Sequence, residues 1–156
     1  MKIDKKIRKT YDRKTPSNDY LKYWRVVRYW VKAKYGLTTP DLEMLLFLYS
    51  EQIFTKDKFS DFKEIMSWDK NRFERLRQEG WIIVWKKREG KNKALYEVSH
   101  KGKKVVGIVY KKLNGEEISE RNPLFLKSAN YMDKVYRNMI IEMNKSIKRQ
   151  RHLSQE

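Results

Sequence analysis

Cysteine is absent from the 156-residue chain, which excludes disulfides and thiolate metal sites. Histidine is almost absent: His100 and His152 sit far apart in basic surroundings, with no clustered ligands for zinc. There is no Gly-rich phosphate loop, no GxSxG and no HExxH. Glu116, Glu117 and Glu120 form the one dense acidic group, and it reads as a solvated loop rather than a metal-dependent nuclease site. These absences predict a non-enzyme without a cofactor or metal. No apolar run approaches the length of a bilayer span. The first residues, MKIDKKIRKTYDRKTPSND, lack the apolar segment of a signal peptide. A soluble, cytoplasmic protein with no membrane partner is expected.

Acid is also scarce. Thirty-seven Lys and Arg face twenty Asp and Glu, a net charge of +17. The excess is concentrated. Residues 1–18 carry a net +5 and residues 86–93 a net +4; residues 99–114 hold five lysines and no acid. Residues 145–151 add four basic side chains, and the rest of the chain is about neutral. Charge gathered in this way points to a polyanion-facing surface, against the plainer alternative of a lysine-coated soluble protein. The lysine-rich, alanine-poor composition fits an AT-rich bacterial or phage genome.

What is present is mostly helical. Residues 1–18 read as a flexible basic arm. Tyr20, Trp24, Val27 and Trp30/Val31 recur at helical spacing over residues 19–35, before Gly36. Thr38, Pro40 and Asp41 make a good helix start, with Leu42, Leu45/Leu46 and Tyr49 as the buried stripe. Phe59, Phe62 and Ile65 mark a shorter third helix. A fourth begins at Ser67 or Asp69, buries Phe73 and Leu76, and stops at Gly80. Residues 81–87 and 94–98 are strand-like, with EGKNK as the turn between them. Ser99 caps a fifth helix that ends at Asn114–Gly115. Beyond Asn122–Pro123, Met132, Val135/Tyr136, Met139/Ile140, Met143 and Ile147 define a last amphipathic helix over 128–148, and 151–156 form a tail.

The expected fold is therefore mainly α with a small two-stranded β-wing, a winged helix-turn-helix within residues 19–150. Three local patterns carry a resemblance to the MarR family of bacterial winged-helix transcription regulators. They are Leu37-Thr38-Thr39-Pro40-Asp41-Leu42, Leu76-Arg77-Gln78-Glu79-Gly80-Trp81-Ile82 and Tyr96-Glu97-Val98-Ser99-His100-Lys101-Gly102, in that order. The resemblance covers roughly residues 20–115. The family's wing usually carries Asp-x-Arg, where this chain has Arg88-Glu89-Gly90-Lys91-Asn92-Lys93. The resemblance implies a homodimer joined through the first and last helices, with double-stranded DNA as the partner.

In such a fold the recognition helix enters the major groove and the wing reaches the backbone or minor groove. With Phe73 and Leu76 inward, Lys70, Asn71, Arg72 and Arg75 are expected on or near the outward face, and Asn71 and Arg75 suit base edges. Lys86, Lys87, Arg88, Lys91 and Lys93 would lie along phosphates, with Arg88 placed for the minor groove. Glu74 and Glu79 would oppose phosphate. Trp81 and Trp85 read as packing residues, with stacking on unpaired bases as the alternative. Two rival functions share these features: a non-specific architectural or genome-coating protein, and an interaction module docking on an acidic partner or RNA.

Overall fold

In the computed structural model the described residues are 20–57, 64, 69–119, 128–153 and 155. The basic arm, the third helix of Phe59, Phe62 and Ile65, the cap at Ser67, Glu120 and Asn122–Pro123 lie outside them. The described elements are α1 (Tyr20–Tyr35), α2 (Thr39–Glu51), β1 (Ile53–Phe54), α3 (Lys70–Gln78), β2 (Ile82–Lys86), β3 (Leu95–Val98), α4 (His100–Leu113) and α5 (Tyr131–Leu153). The chain is mainly helical with one small antiparallel sheet. Among the described residues, no helix is long and apolar enough to cross a membrane.

The sheet has three strands, in the order β1-β3-β2, where two were expected. The extra strand is two residues long, too short for any alternation to register in a sequence. Ile53 pairs with Glu97 and Phe54 with Tyr96. Phe54 enters the core, where Phe73 stands edge-on to Tyr96 at 5.2 Å and Phe54 edge-on to Phe73 at 6.3 Å. This aromatic cluster joins β1, β3 and α3.

Local chemistry sets the helix ends. Thr38 and Asp41 form a reciprocal capping box at the start of α2, with Pro40 in its first turn. Asp69, not Ser67, caps α3: its carboxylate accepts from Asn71 N at 2.9 Å. Ser99 caps α4 by accepting from Gly102 N at 3.1 Å. Gly36 and Gly80 adopt positive φ after α1 and α3.

The buried faces differ in detail from the expected stripes. In α1 the core takes Tyr23, Val26, Val27, Trp30 and Val31, while Tyr20 is exposed and Trp24 half-buried. In α2 it takes Met44 and Leu48 beside Leu42 and Leu45, leaving Tyr49 exposed. In α5, Ile140, Met143, Asn144 and Ile147 are buried, whereas Met132 and Met139 are exposed. That helix continues to Leu153, so the expected tail begins later than residue 151.

α1 packs against both α4 and α5, and α2 against α4 and β3. Tyr29 of α1 stacks on Tyr136 of α5 at 3.7 Å and donates to Asp133 Oδ1 at 2.7 Å. Burial, then the Asp133 carboxylate, pushes the Tyr29 phenol up to about 12, so it stays a donor. Asn144 clasps the backbone of buried Ile118, accepting from its N–H at 2.9 Å and donating to its carbonyl at 2.8 Å.

Gly102 marks the tightest approach. A Cβ there would lie 2.5 Å from Val98 Cγ1 and 2.9 Å from the Trp81 carbonyl. Gly107, in the same helix, has open space around the corresponding position. Gly102→Ala is therefore expected to destabilise by about 1–3 kcal/mol through overpacking. Gly107→Ala should be neutral or stabilise by up to about 1 kcal/mol through helix propensity. Urea midpoints of the two variants test this; equal midpoints would contradict the packing assignment.

Candidate nucleic-acid interface

α3 is short, and two of its nine residues, Phe73 and Leu76, anchor it in the core. A helix of this length is marginal alone, so its position depends on tertiary ties. α3 packs on β2, and a buried ion pair ties it to α2. The Asp41 side chain is fully buried, and its Oδ1 accepts from Arg72 Nη1 and from Arg75 Nη2, each at 2.7 Å. Its Oδ2 accepts from Thr38 N at 3.4 Å. Burial pushes the Asp41 carboxyl up, but the hydrogen bonds from Arg75, Arg72 and Thr38 outweigh it and hold the group below its ordinary value.

This geometry revises the expected outward face. Arg72 is 23% exposed, committed to Asp41, and its Nε is buried without a partner among the described residues. Arg75, at 43%, is shared between Asp41 and Glu79, whose Oε1 lies 3.5 Å from its Nη1. Lys70 and Asn71, in the first turn, are exposed as expected. Glu74 and Glu79 are not free to repel phosphate: Glu74 pairs with Lys56 and, at 3.7 Å, with Arg77, and Glu79 pairs with Arg75.

The hairpin of β2 and β3 closes over Gly90–Lys91. Glu89 and Asn92 exchange backbone hydrogen bonds at 3.2 and 2.9 Å, and Gly90 takes φ +57°. Lys86, Lys87, Arg88, Lys91 and Lys93 are all exposed. Lys93 differs from the others because it is ion-paired to Asp57. Lys86, Lys87, Arg88 and Lys91 have no acidic partner among the described residues. The Lys93–Asp57 and Lys56–Glu74 pairs run from the hairpin through the turn at 56–57 to α3, and α3 itself packs on β2.

Elsewhere the lysine excess is partly structural. Lys101 lies 4.0 Å from the centroid of buried Trp81 and donates to the Glu79 carbonyl at 3.1 Å, closing the C-terminal end of α3. Lys103 pairs with Glu97 at 3.4 Å. Lys112 is buried, bonded to Glu116 Oε1 at 2.7 Å and to the Glu117 carbonyl at 2.6 Å. At the end of α5, Lys148 and Arg151 reach Glu117 at 3.8 and 3.3 Å. Glu116 and Glu117 thus serve as ion-pair partners, and among the described residues no acidic or histidine group could hold a metal.

Sequence reading missed the second role of Asp41, which it took for a helix-start acid. It also missed Lys56 and Asp57. The signal for Asp41 was weak: its partners lie 31 and 34 positions away. Comparison of the chain with protein-family models, curated proteins and solved structures returned no match.

Because the folded carboxyl of Asp41 is held below its unfolded value, its contribution is full at neutral pH. It is lost as pH falls through the folded value, below 3.8. Asp41→Asn should cost about 2–3 kcal/mol at pH 7, toward the low end for a broken buried pair because both arginines reach solvent. The loss should shrink at acid pH. Chemical denaturation at pH 7 and pH 3 tests this, and a pH-independent loss would contradict the assignment.

Proposed function

We propose that this protein is a winged helix-turn-helix, MarR-like regulator that binds double-stranded DNA as a dimer. α3 acts as the recognition helix in the major groove, and the β2–β3 hairpin acts as the wing on the backbone or minor groove. The observation that carries this reading is the group of four exposed cations, Lys86, Lys87, Arg88 and Lys91, without acidic partners among the described residues. They sit on a hairpin packed against a helix whose first turn exposes Lys70 and Asn71. Such cations gain affinity by releasing condensed counterions, independently of sequence. Base readout falls to Asn71 and the exposed part of Arg75.

Exposed Leu21, Tyr131, Met132 and Met139 on α1 and α5 support a second copy across those helices. Met139 also lines a groove of about 340 Å³ between these helices, together with Tyr23, Val26, Val135 and Met143.

A specific observation also favours the architectural alternative. Arg72 and half of Arg75 are spent on Asp41, so few side chains remain to read bases while many remain for phosphate.

Binding measured by fluorescence anisotropy over a salt series separates the two. Asn71→Ala and Arg75→Ala should each weaken binding to a selected site by about 1–3 kcal/mol more than to random duplex. Equal losses on both would remove them as readers and leave the architectural reading. Lys87→Ala should weaken all sequences alike and lower the salt slope by about 1.

A further inference from the structure

The hairpin leaves three apolar side chains exposed, Ile83, Val84 and, the largest, Trp85. Trp85 is 52% exposed, whereas Trp81, at the start of the same segment, is buried under the Lys101 ammonium. Trp81 precedes the strand, which is buried at Ile82 and exposed from Ile83 to Lys86. Ile82, Ile83 and Val84 pair with Val98, Glu97 and Tyr96, and the next paired residue is Lys86, opposite Leu95. Trp85 is the extra residue of a β-bulge and has no cross-strand partner. From Ile83 to Lys86 the strand faces solvent, and the indole is the largest apolar group on it. Ile53 and Ile83 flank Glu97 in one row across the sheet, and both are exposed as well.

Three exposed cations, Lys86, Lys87 and Arg88, follow the indole directly. An apolar protein surface placed on Trp85 would desolvate them with no compensating charge. A polynucleotide strand satisfies both features, because its phosphates meet the cations while a base presents a flat aromatic face to the indole. Duplex DNA keeps its bases stacked on one another and offers no such face.

We propose that Trp85 is a stacking platform for an unpaired base of single-stranded DNA, whose phosphates run along Lys86, Lys87 and Arg88. The site rests on the hairpin being the DNA-facing surface of the proposed function, but it takes a different ligand, a strand with its bases splayed out.

The test titrates the full chain with oligothymidylate of about 12 nucleotides, within the span of single-strand sites. An abasic oligodeoxynucleotide of the same length, with the same phosphates and no bases, is run beside it. The wild-type protein should bind oligothymidylate about tenfold more tightly than the abasic strand, with quenching of tryptophan emission. Trp85→Ala should abolish that preference and leave abasic affinity unchanged; Trp85→Phe should keep most of it. Equal wild-type affinity for the two strands, or a preference that survives Trp85→Ala, overturns the proposal. So does a shift from dimer to monomer in sedimentation of Trp85→Ala without any base preference, which would assign the indole to a contact between copies. A random duplex measured in parallel keeps the two readings apart. Duplex binding without base preference removes the stacking site alone. Base preference without duplex binding removes the double-strand reading alone.

Discussion

The carboxylate of Asp41 is where two helices far apart in sequence become one unit. A buried carboxylate left unpaired would cost several kcal/mol. Here it is satisfied by Thr38 N on one oxygen and by Arg72 and Arg75 on the other. The same side chain starts α2 and fixes α3 against it. α3 has nine residues and buries two of them, so it lacks the apolar face that would hold a longer helix in place. Its other anchor is the edge-on packing of Phe73 on Phe54 and Tyr96. Both anchors act on one side of the helix. They leave its first turn, Lys70 and Asn71, facing solvent.

A net charge of +17 overstates the surface available to a polyanion. Lys112 is a buried structural cation, Lys101 closes a helix end, and Arg72 is held by Asp41. Lys56, Lys93, Lys103 and Lys148 each face a carboxylate. After these commitments, the hairpin stands out as a run of neighbouring cations without acidic partners among the described residues. Position, more than total charge, decides where phosphate would gain most from docking.

Features encoded within a few residues were legible in the sequence, and features needing distant partners were not. Thr38 with Asp41, Asp69 and Ser99 as caps, and Gly36 and Gly80 as stops, follow from local backbone chemistry and occur in the structure. Periodicity gave each helix an apolar face without its width or rotation, which is why Tyr20, Tyr49 and Met132 were assigned to stripes that leave them exposed. β1 was invisible because two residues carry no pattern. With Phe73 and Leu76 taken to face inward, Arg72 and Arg75 were placed on or near the outward face. Their carboxylate partner is more than 30 positions away, beyond any local rule. Trp81 and Trp85 share one alternation in sequence, yet the first lies before the strand and is buried, while the second lies in its solvent-facing part and is exposed.

The ion pairs around the hairpin and α3 differ in how readily phosphate could replace them. Lys93–Asp57 has both partners largely exposed, and Lys56–Glu74 both about one-third exposed, so each contributes little and exchanges at small cost. Arg75–Asp41 is of another kind, because withdrawing the arginine would strip a donor from a buried carboxylate. In the proposed complex, Arg75 would meet DNA with the part of its guanidinium already in solvent, its orientation still set by Asp41. The flexible cost of aiming a long side chain is met in the free protein, which favours geometric selectivity at that position. Lys86, Lys87 and Lys91, with no acidic partner among the described residues, suit the opposite task of following whatever backbone lies beside them.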